Sequence, residues 1–340
     1  MATQTPPLSI KCAVCGTGKD LLRCGMCKVQ RYCGRDHQAE HRPAHKAACT
    51  AVKKKRSTME EEEQELRRLN GDIFEEEEGR FWGIHETRPY MRARYAFVEA
   101  LVKVGTYDAV EVAYDNLRDM LRLCRGDNMG VRDVIPGLLL RLGRDQECYD
   151  FIKWWNTEGN GNSFDWVDMD LPYLDVKDAD VFESPEYLCR EFGALAHTVA
   201  ATLVKVKVML DLEDLAALND LGDDPKKLPQ ELVDKIKKFT PRSPIVSKNK
   251  DIMDGKSTLS PNTLAIQIAD MYESVEKRNK HFWQALVNPG RHLGARPNAY
   301  CQGSVQEMEL VLNYSYAAWA ETPGAIQWMV EEFMDEYDFE

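Results

Sequence analysis

The chain has 340 residues and a net charge of −12 at neutral pH, and its 44% apolar and 29% charged residues have the balance of a globular protein, not a disordered or membrane-embedded one. No run approaches the roughly 18 uninterrupted apolar residues of a membrane span, and the opening MATQTPPLSIKC lacks the apolar centre of a secretory signal, so the chain is expected inside the cell, in cytoplasm or nucleus. The charge is uneven: residues 1–56 hold twelve Lys or Arg against three acids, which leaves −21 on the remainder and suggests separate modules that meet near Arg56.

The first segment in chain order is CAVCGTGKDLLRCGMCKVQRYCGRDHQAEHRPAHKAAC, which holds six of the ten cysteines. It supplies four pairs of metal ligands: Cys12 and Cys15, Cys24 and Cys27, Cys33 and His37, His45 and Cys49. A CxxC pair brings two thiolates to one zinc at about 2.3 Å, and ligands four apart can share one face of a helix. Eight ligands fill two closed tetrahedral sites, which are structural because neither leaves a position for water. A redox CxxC would need a thioredoxin-like strand and helix around it, and none is present. His41 lies between His37 and His45 at helical spacing and could compete as a ligand, but it reads first as an exposed histidine or one that supports a ligand from outside the site.

Residues 12–49 resemble the MYND finger family: CxxC, CxxC, an aromatic residue before a cysteine (here Tyr32-Cys33), and a closing HxxxC (His45 to Cys49). The resemblance implies a crossed arrangement, with Cys12, Cys15, Cys33 and His37 on the first zinc and Cys24, Cys27, His45 and Cys49 on the second. Position 37 departs from the family, which usually has cysteine there, and zinc accepts imidazole in its place. Arg42 also departs, standing where the family commonly has tryptophan on its peptide-binding side.

Beyond the finger (10–50), residues 51–80 read as a charged linker or exposed helix, with acidic runs at Glu60–Glu63 and Glu75–Glu78. Residues 81–340 show the 3.6-residue period of amphipathic helices and no sustained alternation, so the fold class is mainly α. One helix is expected from Thr106 to Cys124, a second from the cap Ser184-Pro185 through Phe192 to Leu210, and a third from Ser260-Pro261 to Leu286. A fourth opens with Ser304 and Glu307 in capping-box spacing, and a last begins at Thr322-Pro323. Residues 157–183 and 222–260 read as surface loops. LVKVG ending at Gly105 and LLRLG ending at Gly143 recur 38 residues apart, so residues 90–156 resemble tetratricopeptide hairpins.

The KKKR run at Lys53–Arg56 reads first as a solvated linker, with a nuclear address or a contact with an anionic surface as the alternatives. Cys124, Cys148, Cys189 and Cys301 are scattered and read as small apolar residues, and His85, His197, His281 and His292 as isolated surface or locally satisfied groups. Trp154, Trp155, Trp283 and Trp319 are expected as core anchors.

No nucleotide-binding, hydrolase or metalloprotease motif is present, so no catalytic residues are assigned. Over its length the chain also resembles fungal MYND-finger proteins with a helical carboxy-terminal region. The expected function is that of a zinc-binding adaptor with a protein or peptide partner, no membrane contact, and nucleic acid disfavoured by the acidic body. The alternatives are a protein methyltransferase that combines a SET domain with the finger, and a nucleic-acid-binding regulator. ARPNAYC at 295–301 is the one trace of the former.

Overall fold

A computed structural model of the chain describes residues 5–160, 164–222, 229–256 and 260–334. They form two compact units: Leu8–Leu138 with Asp165–Tyr173, and Met1–Pro7 with Leu139–Phe164 and Leu174–Glu340.

The first unit begins with two short antiparallel strands, β1 (Leu22–Arg23) and β2 (Arg31–Tyr32), with Leu22 opposite Tyr32. Four helices follow: α1 (Arg35–Asn70), α2 (Ile73–Glu76), α3 (Arg88–Val104) and α4 (Tyr107–Leu123). The expected boundary near Arg56 falls inside α1, which runs without interruption from the metal ligands through the first acidic run and packs along α3. The acidic segment is therefore part of the fold. Val52, Leu66 and Ile73 are buried and Met59 is half-buried, four apolar residues at seven-residue spacing that make one seam despite the glutamates around them. Phe74 closes the seam against Phe81 and Tyr90, each with ring centroids 5.1 Å away.

The turn between α3 and α4 follows from two residues. Gly105 takes a left-handed φ of 68°, which a side chain would oppose, and Thr106 Oγ1 accepts the N–H of Ala109 as the cap of α4.

The chain passes from one unit to the other within α5 (Ile135–Arg141). The second unit contains α6 (Asp145–Asn156), α7 (Leu195–Gly222), α8 (Gln230–Phe239), α9 (Pro244–Ser247), α10 (Lys250–Met253), α11 (Pro261–Arg278), α12 (Phe282–Val287), α13 (Val305–Ala320) and α14 (Ala325–Phe333). Its axis is α7, against which α6, α8, α9, α11, α13 and α14 all pack. From Leu195 to Asp211 every side chain of α7 is buried, so its polar members need internal partners. Lys207 meets Asp145 at 2.7 Å, and Asp211 accepts the backbone N–H of Arg242 and Ser243, each at 2.8 Å. The four expected tryptophan anchors are buried here.

Several expected boundaries differ. Ser184-Pro185 does not start α7; a single 3-10 turn at Glu186–Leu188 intervenes, and Phe192 is 82% exposed. The helix expected from Ser260 to Leu286 breaks at Asn279, whose side chain bonds Ser304 O and Glu307 Oε2. Residues 222–260, expected as loop, include α8, α9 and α10. The capping box forms at α13: Ser304 Oγ accepts the Glu307 N–H, and the Glu307 carboxylate accepts the N–H of Gly303, one residue before the expected partner. LVKVG and LLRLG share a way of ending a helix on a left-handed glycine, both at φ 68°, and the first hairpin belongs to the first unit while α6 belongs to the second.

Candidate metal centre

The ligands come from two tight turns and one helix. Cys12 and Cys15 sit on a turn closed by Gly16 N–H to Cys12 O, with Gly16 at φ 72°. Cys24 and Cys27 sit on a second turn, closed by Lys28 N–H to Cys24 O and by Cys24 N–H to the O of Gln30, the residue before β2. Lys28 takes a left-handed φ of 65° to turn the chain back. Cys33 follows β2, and α1 presents His37, His45 and Cys49.

These eight side chains converge in two groups, Cys12, Cys15, Cys33 and His37, and Cys24, Cys27, His45 and Cys49, with the donor atoms of each within 4.8 Å of one another. The grouping is the crossed one that the family resemblance implies. Thiolate arms of about 2.3 Å and an imidazole arm of about 2.0 Å at tetrahedral angles set ligand atoms about 3.5 to 3.8 Å apart. Cys15 to Cys33 is 3.7 Å, Cys24 to Cys49 3.7 Å, Cys12 Sγ to His37 Nδ1 3.5 Å, and Cys27 Sγ to His45 Nε2 3.4 Å. Cys33 to His37 is tighter at 3.0 Å. Both clusters therefore fit a zinc ion, the first through Nδ1 of its histidine and the second through Nε2. The second is wholly buried; in the first only Cys12 is.

His41 belongs to neither group. Its Nδ1 lies 3.1 Å from Tyr32 Oη, and its ring stacks on His45 at 5.7 Å, so it orients a ligand.

The chemistry of the donors calls for a cation. Burial, helped by repulsion from neighbouring sulfurs, raises Cys49 to about 12, and burial together with contacts to Cys15 and Cys12 raises Cys33 to about 11. Burial also opposes ionisation of Cys12, but backbone N–H groups of Cys15, Val14 and Cys33 outweigh it and hold that thiol at about 5. Each cluster sets three sulfurs side by side, and these ionise together only around a metal. Burial and the adjacent His41 lower His45, which keeps it in the neutral form that binds zinc.

Two functional contacts carry no sequence signal. Asp108, in the first turn of α4, receives Arg31 and Arg23, and Thr106 Oγ1 donates to Val29 O, so the finger is fastened to the α3–α4 turn. Arg56, the last residue of KKKR, donates to Met26 O and to Cys27 O and lies 5.5 Å from the centre of the Phe97 ring. An acid in the first turn of a helix and an arginine in a basic run are both ordinary on the surface, which is why neither stood out.

Residues 12–49 match the sequence model of the MYND finger family. No curated protein and no solved structure matches the chain.

Proposed function

We propose that the chain is an adaptor whose finger and helical units each offer a surface to protein partners, inside the cell, and that it catalyses no reaction. The observation that carries this reading is the saturation of both metal sites by protein donors, four to each, which leaves zinc a structural role. The MYND finger is a protein-interaction domain, and Leu22 and Met26 on this one are 69% and 43% exposed. The methyltransferase alternative expects a strand-rich domain, whereas the strands among the described residues are the two short ones of the finger. No helix among the described residues is long and apolar enough to cross a membrane.

The test uses the full chain with Leu22→Asp and Met26→Asp, which alter the exposed face and leave the ligands in place. The double variant is expected to hold two zinc ions and to lose proteins captured by the parent chain. Titration with S-adenosylmethionine is expected to give no binding; micromolar affinity would overturn the reading.

A further inference from the structure

The cations of residues 1–56 are not equivalent once folded. Arg23 and Arg31 are spent on Asp108, and Arg56 on backbone carbonyls of the second metal turn. Arg35, Arg42, Lys46 and Lys53 are different: all four are exposed on α1, and none makes an ion pair or side-chain hydrogen bond among the described residues. At about 100° per residue the four fall within an arc of about 40°, in a line about 27 Å long. Asp36 and Glu40, the acids of the same stretch, lie about 80° or more around the helix from that arc. Beside the cations this face exposes Gln38, Ala39 and Thr50, the buried ligand Cys49 lies under one edge, and no large apolar side chain is exposed between them.

We propose that this stripe binds the phosphate backbone of a nucleic acid without reading its sequence. A protein partner draws its affinity from apolar or aromatic anchors seated among the charges, and this face has none. A polyanion of regular spacing needs only an ordered row of cations. The net charge of −12 argues otherwise only if distant acids are felt. With a Debye length of about 8 Å at physiological salt, exposed charges beyond that distance are largely screened, and the next acid along the stripe, Glu60, stands about 10 Å beyond Lys53. The composition therefore misleads where the arrangement decides.

The experiment is fluorescence anisotropy of a labelled duplex of about 20 base pairs with the zinc-loaded full chain between 50 and 200 mM salt. Four phosphate contacts predict a slope of log K against log salt of about −3.6. Arg42→Glu with Lys46→Glu is expected to weaken binding at least tenfold at 50 mM salt and to bring the slope to about −2, with two zinc ions retained. Lys235→Glu with Lys238→Glu on α8 changes net charge equally and is expected to leave binding unchanged. Absence of binding at 50 mM salt, or equal loss in both double variants, overturns the proposal. So does equally tight, stripe-dependent binding of a polyglutamate peptide or of phosphatidylserine vesicles, which would assign the stripe to an acidic protein or a membrane surface.

Discussion

Arg31 and Asp108, 77 residues apart in the chain, meet in a two-point ion pair, Nε to Oδ2 at 2.5 Å and Nη2 to Oδ1 at 2.7 Å. Arg23 adds a third contact to Oδ1 at 2.7 Å, and the Asp108 side chain is only 5% exposed. The finger is thus joined to the α3–α4 hairpin by a buried carboxylate with no other work to do. Asp108→Ala is expected to cost about 1 to 3 kcal/mol, less than a fully buried pair because Arg23 is half exposed. Burial opposes the Asp108 charge, but Arg31 and Arg23 prevail and hold its carboxyl below the ordinary value of 3.8. The contribution is therefore present above that value and is lost as pH falls through the lower folded one. Urea titrations of both chains at pH 7 and at pH 3 check this: the difference at pH 7 should shrink at pH 3.

Metal removal should reach well beyond the finger. His45 and Cys49 lie on the same helix as Val52 and Leu66, which are buried along the seam of α1, so loss of zinc frees the helix that α3 packs on. Hydrogen exchange after treatment with a chelator is expected to show lost protection in α1, α3 and α4 and unchanged protection in α7, α11 and α13. Loss confined to residues 10–50 would refute the coupling.

The two metal sites should differ in tolerance. Cys15 is exposed, whereas Cys27 is wholly buried and faces His45 at 3.4 Å. Both Cys15→Ser and Cys27→Ser are expected to drop zinc content from two ions to one and to lower the thermal midpoint, the second by several degrees more because it leaves a polar hydroxyl in a wholly buried site. His37→Cys, which restores the family's usual residue, is expected to keep two ions. Metal analysis with calorimetry on each purified chain decides these outcomes.

The metal site was legible because its chemistry is local: eight ligands at short spacing leave few alternatives, and His37 in place of cysteine changes only the donor atom. The helices were legible where one face is apolar, as in α4 and α14. Reading failed where burial depends on distant partners. The charge break at Arg56 looked like a module boundary, yet α1 crosses it, because a seam of four apolar residues outweighs many solvated glutamates. Likewise α7 showed its apolar stripe but not its start, since Leu188 is buried on a separate 3-10 turn and continues the pattern from outside the helix.

Lys205, in the second unit, provides a last test. It lies on α7 with no exposed surface, and its Nζ donates to Val181 O at 2.5 Å, to Gln267 Oε1 at 2.7 Å and to Glu183 O at 3.3 Å. Desolvation lowers its pKa from 10.5 to about 8, although Glu183 and Asp180 pull the other way. Below about pH 8 both folded and unfolded chains carry the proton, and the cost of the buried charge is constant. Between about 8 and 10.5 the unfolded chain binds more protons than the folded one, so stability rises with pH across that window. A shift of this size corresponds to about 3 kcal/mol. Lys205→Met removes the titration while keeping an unbranched buried side chain. The stability of the natural chain relative to this variant is therefore expected to climb from pH 8 to pH 10, by up to about 3 kcal/mol, in denaturant titrations run in parallel. Curves that stay parallel over that range would show that Lys205 keeps its proton, held by its three oxygen acceptors.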